Sequence, residues 1–245
     1  MSAAGYVHPR ALCSGAESEC SLDIAEDASS NYLRWVADLC APHLGSTLLD
    51  VGAGFGAITS HIVEGREVTV LDSSSACVAA LKSRFADASN VRVVEGDIAS
   101  LDGQEFDSIL ITNVLEHIRD DAQMLATLRT HLSPGGAIVV YVPALNGLYT
   151  NWDRKVGHYR RYSKRRLTGV AAEADLSVES LQYVNFLAIP AWLISGRLVG
   201  QERRTARSLS TWDTFAVPLS RALESRVRLP IGLNLLCVLR VDAAS

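Results

Sequence analysis

Between residues 46 and 143 the chain alternates short apolar runs with segments long enough for a helix, and this alternation constrains the fold more than any other feature. The runs are STLLDVG (46–52), EVTVLD (67–72), NVRVVEGDI (90–98), FDSILITN (106–113) and AIVVYVP (137–143). Short, nearly continuous apolar runs rich in Val and Ile read as strands buried on both faces. AITSHIVEG (57–65), SSACVAALKSRFADA (74–88) and residues 118–132 are predicted helices, and Ser133-Pro134-Gly135-Gly136 a turn. Strands joined through helices require right-handed crossovers and a parallel sheet.

Outside this block the pattern loosens. Residues 29–41 read as a helix with Ser30 or Asn31 as N-cap and Leu33, Val36 and Leu39 on one stripe. Residues 145–163 read as a basic, aromatic loop. RRLTGVAAEA (165–174) is a predicted helix, and LSVESLQYVN (176–185) and GLNLLCVLRV (232–241) are predicted strands. Residues 186–228 mix apolar and basic residues and are predicted helices over one end of the sheet. Residues 1–28 have no period and read as a flexible arm, leaving 29–245 as one domain with cap elements around 145–165 and 186–228.

Composition narrows the partners. A net charge of −4 over 245 residues gives no broad basic face for nucleic acid. The five cysteines form no CxxC pair and read as free thiols of a reducing cytoplasm. No apolar core follows the N-terminus as in a signal peptide, and the longest apolar stretch, Phe186–Ile194, falls short of the roughly 20 residues a membrane span needs. A cytoplasmic protein is expected, with no transmembrane segment. Its oligomeric state is not legible.

The first strand runs into Asp50-Val51-Gly52-Ala53-Gly54-Phe55-Gly56-Ala57. Glycines at such a place let the backbone turn and approach a ligand closely. The stretch satisfies the dinucleotide fingerprint G-x-G-x-x-G/A, and Asp72 after the second strand suits a ribose of NAD or of another nucleoside. The loop alone leaves both readings open. Asp50 favours one of them, because a carboxylate here repels a pyrophosphate and attracts a cation.

Asp50-x-Gly52-x-Gly54-x-Gly56 also resembles motif I of class I S-adenosylmethionine (SAM)-dependent methyltransferases. The resemblance continues through Asp72, Glu95-Gly96-Asp97-Ile98, Asn113-Val114-Leu115-Glu116-His117-Ile118 and the Ser133-Pro134-Gly135-Gly136 turn. It implies an α/β, Rossmann-like class I methyltransferase fold: a mostly parallel seven-stranded sheet, helices on both faces and a small cap. It implies SAM as cofactor, bound by Asp50, Gly52, Gly54, Asp72, Ser73, Asp97, Ile98 and Asn113, with Asp50 towards the cationic methionine end, Asp72 at the ribose, and Asp97 and Ile98 at the adenine. An NAD(P)-dependent oxidoreductase is the lesser alternative.

The segment Gly157-His158-Tyr159-Arg160-Arg161-Tyr162 resembles the GHxRRY stretch of a bacterial methyltransferase subgroup. Tyr149, Trp152, Asp153, Arg160 and Arg161 are candidate substrate contacts, since paired arginines clamp carboxylates or phosphates. The competing reading has Asp153 stapling the loop to an arginine. His117, His158 and Tyr162 are candidate bases or orienting groups. No metal is expected, because no carboxylate/His cluster is visible beyond the SAM-binding acids. The expected reaction is direct in-line methyl transfer to a small-molecule acceptor, a natural product or sugar-derived metabolite. The apolar stretch 186–194, followed by Arg197, Arg203, Arg204 and Arg207, keeps a lipid-linked substrate and peripheral membrane contact as the alternative.

Overall fold

The computed structural model describes residues 29–101, 103–194 and 206–241. The flexible-arm reading of 1–28, with Cys13 and Cys20, and the arginines at 197, 203 and 204 lie outside the described residues. In chain order the main elements are α1 (Ser30–Cys40), β1 (Thr47–Val51), β2 (Glu67–Asp72), α2 (Ser75–Arg84), β3 (Val91–Glu95), β4 (Phe106–Thr112) and α3 (Asp121–Arg129). There follow β5 (Leu132–Pro143), α4 (Asn151–Lys155), α5 (Lys164–Glu173), β6 (Leu176–Val184), α6 (Ala188–Ile194), α7 (Ala206–Glu224) and β7 (Asn234–Val241).

The seven strands form one sheet in the order β3-β2-β1-β4-β5-β7-β6. Pairings from β3 through β5 are parallel, and β7 runs antiparallel between β5 and β6. This is the Rossmann-like α/β fold expected of class I methyltransferases. The chain winds outward from β1 to β3, then returns to β4, so β1 and β4 flank the topological switch point where open α/β sheets bind ligands.

Alternation along each strand builds a core on both faces. Leu49, Val51, Ile109, Ile111, Ile138, Val140, Leu235 and Cys237 pack on one side with Leu125, Leu128, Leu167 and Val170 of α3 and α5. Leu48, Val70, Leu110, Val139, Tyr141 and Leu236 point to the other, against Val36 and Cys40 of α1 and Leu81 of α2. Cys40 and Cys237 are buried free thiols, and Cys77 is buried as well.

Three expectations are corrected. The segment 57–65 is no helix beyond one 3-10 turn at Thr59–His61. Gly52, Gly54, Gly56 and Gly65 around it all have positive φ, and the buried Thr59 hydroxyl donates to Asp50 Oδ2 at 2.5 Å instead of leaving the chain free to coil. The Ser133–Gly136 turn is absorbed into the start of β5, where the pairing with β4 slips between Phe106 and Ser108. The loop expected over 145–163 contains the short helix α4, closed by a capping box in which Thr150 and Asp153 satisfy each other's backbone amides.

Candidate functional site

The carboxyl ends of β1, β2 and β3 converge on a shallow cleft lined by Val51, Gly52, Leu71, Asp72, Ser73, Gly96, Asp97 and Ile98. Gly52 sits at φ +68, and a Cβ there would lie 2.6 Å from Val114 Cγ2, so no other residue suits this turn. Gly54, at φ +58, has open space where its Cβ would project. Its amide donates to Asp72 Oδ2 at 3.0 Å, while Ser74 N donates to Oδ1 at 2.9 Å. Asp72 is thereby locked across the glycine loop. Asp97 is exposed at the cleft edge, and Ile98 is buried beneath it.

Asp50 lies inside β1 rather than at its mouth, and is 2% exposed. Oδ1 is buried with no hydrogen-bond partner. Burial pushes the carboxyl up to about 6, against the pull of the Thr59 hydroxyl and with a further push from Asp72.

Beyond the ends of β4 and β5 opens a much larger cavity of about 530 Å³. Tyr32, Trp152, Trp192 and Trp212 supply aromatic walls, and Asn113, Glu116, His117, His158, Arg161 and Asp213 supply polar groups. Asn113, Leu145 and Asn185 hold positive φ at the strand ends around it, a strain that persists only where the surroundings over-determine the backbone. Among the sequence candidates, Asn113, His117, Trp152, His158 and Arg161 line this cavity. Gly52, Asp72, Ser73, Asp97 and Ile98 line the cleft.

Asp153 is the anchor of the GHYRRY segment. It is fully buried, and its Oδ1 receives Arg161 Nε at 2.8 Å and faces His158 Nδ1 at 2.9 Å. Oδ2 accepts from Thr150 N at 2.7 Å. Burial raises its pKa, but these partners outweigh it and hold the carboxyl below the usual range. Arg161 in turn lies 4.1 Å from the Trp192 ring centroid, tying α6 over the cavity. The stapling reading therefore describes Asp153, which does not line the cavity.

Three further candidates are corrected in the same way. Tyr162 is fully buried on the core side, and its hydroxyl bonds Asp121 Oδ2 at 2.9 Å, so it is no base for a substrate. Burial and Asp121 both raise its pKa. Arg160 pairs with Asp121 at 2.6 Å and donates to Arg119 O. The Tyr149 hydroxyl donates to His158 O at 2.7 Å. All three brace the loop.

Sequence reasoning missed the weight of Glu116. It is fully buried, and neither carboxylate oxygen has a hydrogen-bond partner. Burial pushes it up to about 8, with its own backbone amide and Arg161 opposing and Asp153 adding. Its Oε1 stands 3.8 Å from His158 Nε2, and the His117 and His158 rings meet edge to face at 4.6 Å. The tertiary fold brings residue 158 onto 116–117 and so assembles a carboxylate/His cluster that was not visible in the sequence. Asp213 was also missed. Its carboxylate accepts the amides of Asn31 and Tyr32 at 2.9 and 2.8 Å, joining α7 to the start of α1.

The model of the methyltransferase domain family matches residues 49–138. An uncharacterized 37.1 kDa protein in transposon TN4556 of Streptomyces fradiae is 28% identical over 81% of this chain and 62% of its own length. Trans-aconitate 2-methyltransferase of Deinococcus radiodurans is 32% identical over 49% of this chain and 46% of its own. The chain thus spans about half to three-fifths of these relatives. The crystal structure of Burkholderia thailandensis 1,6-didemethyltoxoflavin-N1-methyltransferase superposes with a TM-score of 0.62 at 21% identity, covering 99% of this chain and 94% of its own. Residues 49–138 thus resemble the methyltransferase domain family, and the sheet order and glycine loop agree with the Rossmann-like fold of class I SAM-dependent methyltransferases. Among the described residues no helix is long and apolar enough to cross a membrane.

Proposed function

We propose that this chain transfers a methyl group from SAM to a small-molecule acceptor held in the aromatic cavity. The observation that carries this reading is the cavity itself. About 530 Å³ of mostly apolar, aromatic-walled space with a few convergent polar groups is the form of a small-molecule site. It adjoins the glycine loop, since Val114, packed on Gly52, lies between the cavity residues Asn113 and Glu116.

The residues of the cleft suit the cofactor. Asp72 and Ser73 would hold the ribose, Asp97 and Ile98 the adenine, and the Gly52 and Gly54 backbone the linking portion. The unpartnered Asp50 Oδ1 offers charge to the cationic methionine end, directly or through water. SAM supplies an activated methyl carbon open to direct displacement, leaving the protein to bind, orient and exclude water. Trp152 and Trp192, with rings 5.6 Å apart, form a wall against a flat or apolar acceptor. The Glu116, His117 and His158 cluster is the polar group that faces its heteroatom.

A second reading is favoured by α7. Phe215 and Leu219, 73% and 61% exposed, lie one turn apart, with Leu223 a turn further and Arg221, Arg226 and Arg228 beside them. An exposed apolar stripe flanked by arginines suits a membrane interface and a lipid-linked acceptor.

Methyl-labelled SAM incubated with the protein and an extract of its own cells tests both. Enzyme-dependent label in the aqueous or polar-organic fraction supports a soluble acceptor. Label confined to the lipid phase supports the second reading. If the pure protein does not bind S-adenosylhomocysteine in a calorimeter, the methyl-transfer reading fails.

A further inference from the structure

We propose that Glu116, His117 and His158 form a binding site for one divalent transition-metal ion of the zinc class, opening onto the aromatic cavity. Metal uptake is measured on the free protein, so it stands apart from the methyl-transfer reading.

Each of the three side chains offers one donor atom, and these atoms all lie within 4.8 Å of one another. Two imidazole nitrogens and a carboxylate oxygen are the donor set of open zinc sites, in which a fourth position faces solvent or substrate. Ligands ~2.1 Å from one tetrahedral ion stand ~3.4 Å apart. His158 Nε2 and Glu116 Oε1, at 3.8 Å, are a few tenths of an ångström from that spacing.

The hydrogen bonds around the site point the donors at one another. His158 Nδ1 faces the Asp153 carboxylate, which assigns the ring proton to Nδ1 and directs the Nε2 lone pair towards Glu116. Glu116 presents two buried oxygens that accept no hydrogen bond. With Glu116 ionised, two acceptors face each other across a gap, an arrangement that a cation between them resolves in place of a proton. Asp153 orients the histidine as a carboxylate behind a metal-bound imidazole does, and Arg161 and Thr150 hold Asp153 in place. The backbone adds rigidity, since Tyr159 N donates to Glu116 O at 2.8 Å and so pins the GHYRRY loop directly to the Glu116–His117 turn.

All three ligands line the cavity, so the open position faces the space assigned to the acceptor. An ion there selects acceptors with an oxygen donor, such as a hydroxyl or carboxylate, over wholly apolar molecules.

The test uses the tag-free full chain after chelator treatment, titrated with Zn²⁺ in a calorimeter and with Co²⁺ by visible absorption. One equivalent of either metal is expected to bind, with d–d bands for Co²⁺. Glu116→Gln and His158→Gln should each weaken Zn²⁺ binding by at least about tenfold. His61→Ala, at an exposed position outside the cavity lining, should bind like the parent. Circular dichroism checks that each variant is folded, and either folded variant suffices. The proposal is overturned if the parent takes up no stoichiometric metal. It is equally overturned if a folded Glu116 or His158 variant binds as tightly as the parent, which would leave a proton between Glu116 and His158.

Discussion

Replacing Asp153 by Asn tests whether the GHYRRY segment is held by one buried charge. The amide keeps the shape but removes the negative charge facing Arg161, whose side chain is almost wholly buried at 2.8 Å. Breaking a buried pair from one side leaves an uncompensated charge and costs about 3–5 kcal/mol. For a chain of 245 residues, each kcal/mol lowers Tm by about 2–4 °C, giving a fall of roughly 6–20 °C. Thermal melts by circular dichroism read it. Asp153→Asn with Arg161→Leu should lose less than the sum of the two single changes, because the double variant buries no orphan charge. The folded pKa of Asp153 lies below its unfolded value, so this stabilisation is present above the ordinary carboxylate range. It is lost as pH falls through the lowered folded pKa, and the difference between parent and variant should shrink on acidification. A Tm within about 2 °C of the parent at neutral pH would refute the staple.

Asp50 has a raised folded pKa, so its ionisation on the way up through about pH 6 opposes folding in the free protein and creates the charge that attracts a cationic methionine group. S-Adenosylhomocysteine affinity should rise from pH 5 to 7, and Asp50→Asn should flatten that profile in calorimetry. Gly52→Ala, strained at φ +68 and 2.6 Å from Val114, should cost about 1–3 kcal/mol by urea denaturation and weaken cofactor binding. Asp213→Ala removes the acceptor for two amides at the start of α1 and should cost about 1–2 kcal/mol. His158→Ala should lower turnover of an identified acceptor with little change in cofactor affinity, and unchanged turnover would make the histidine purely structural.

The cofactor half of the site was legible because it is local. Gly52 directly follows β1, Asp72 ends β2 and Asp97 lies two residues past β3, and short apolar runs locate strand ends to within a residue or two. The acceptor half was only partly legible. Trp152 and His158 were read from an aromatic, basic stretch, but the same stretch contains Tyr149, Arg160 and Tyr162, which face the fold instead. Residue type does not report which way a loop side chain turns. The failed helix at 57–65 has a related cause, since Thr59 is held by Asp50, a partner no periodicity reveals.

The sequence by itself determined the parallel sheet, the glycine turn and the acids at three strand ends, because strand periodicity and positive-φ turns are consequences of a few neighbouring residues. Only the tertiary structure decided that Glu116 meets His158, that Asp153 serves Arg161 rather than a substrate, and that Asp213 clasps α1. Each of those depends on burial and on partners 8 to 182 residues apart, where the loss of water makes an unpaired charge costly and so fixes which groups must find one another.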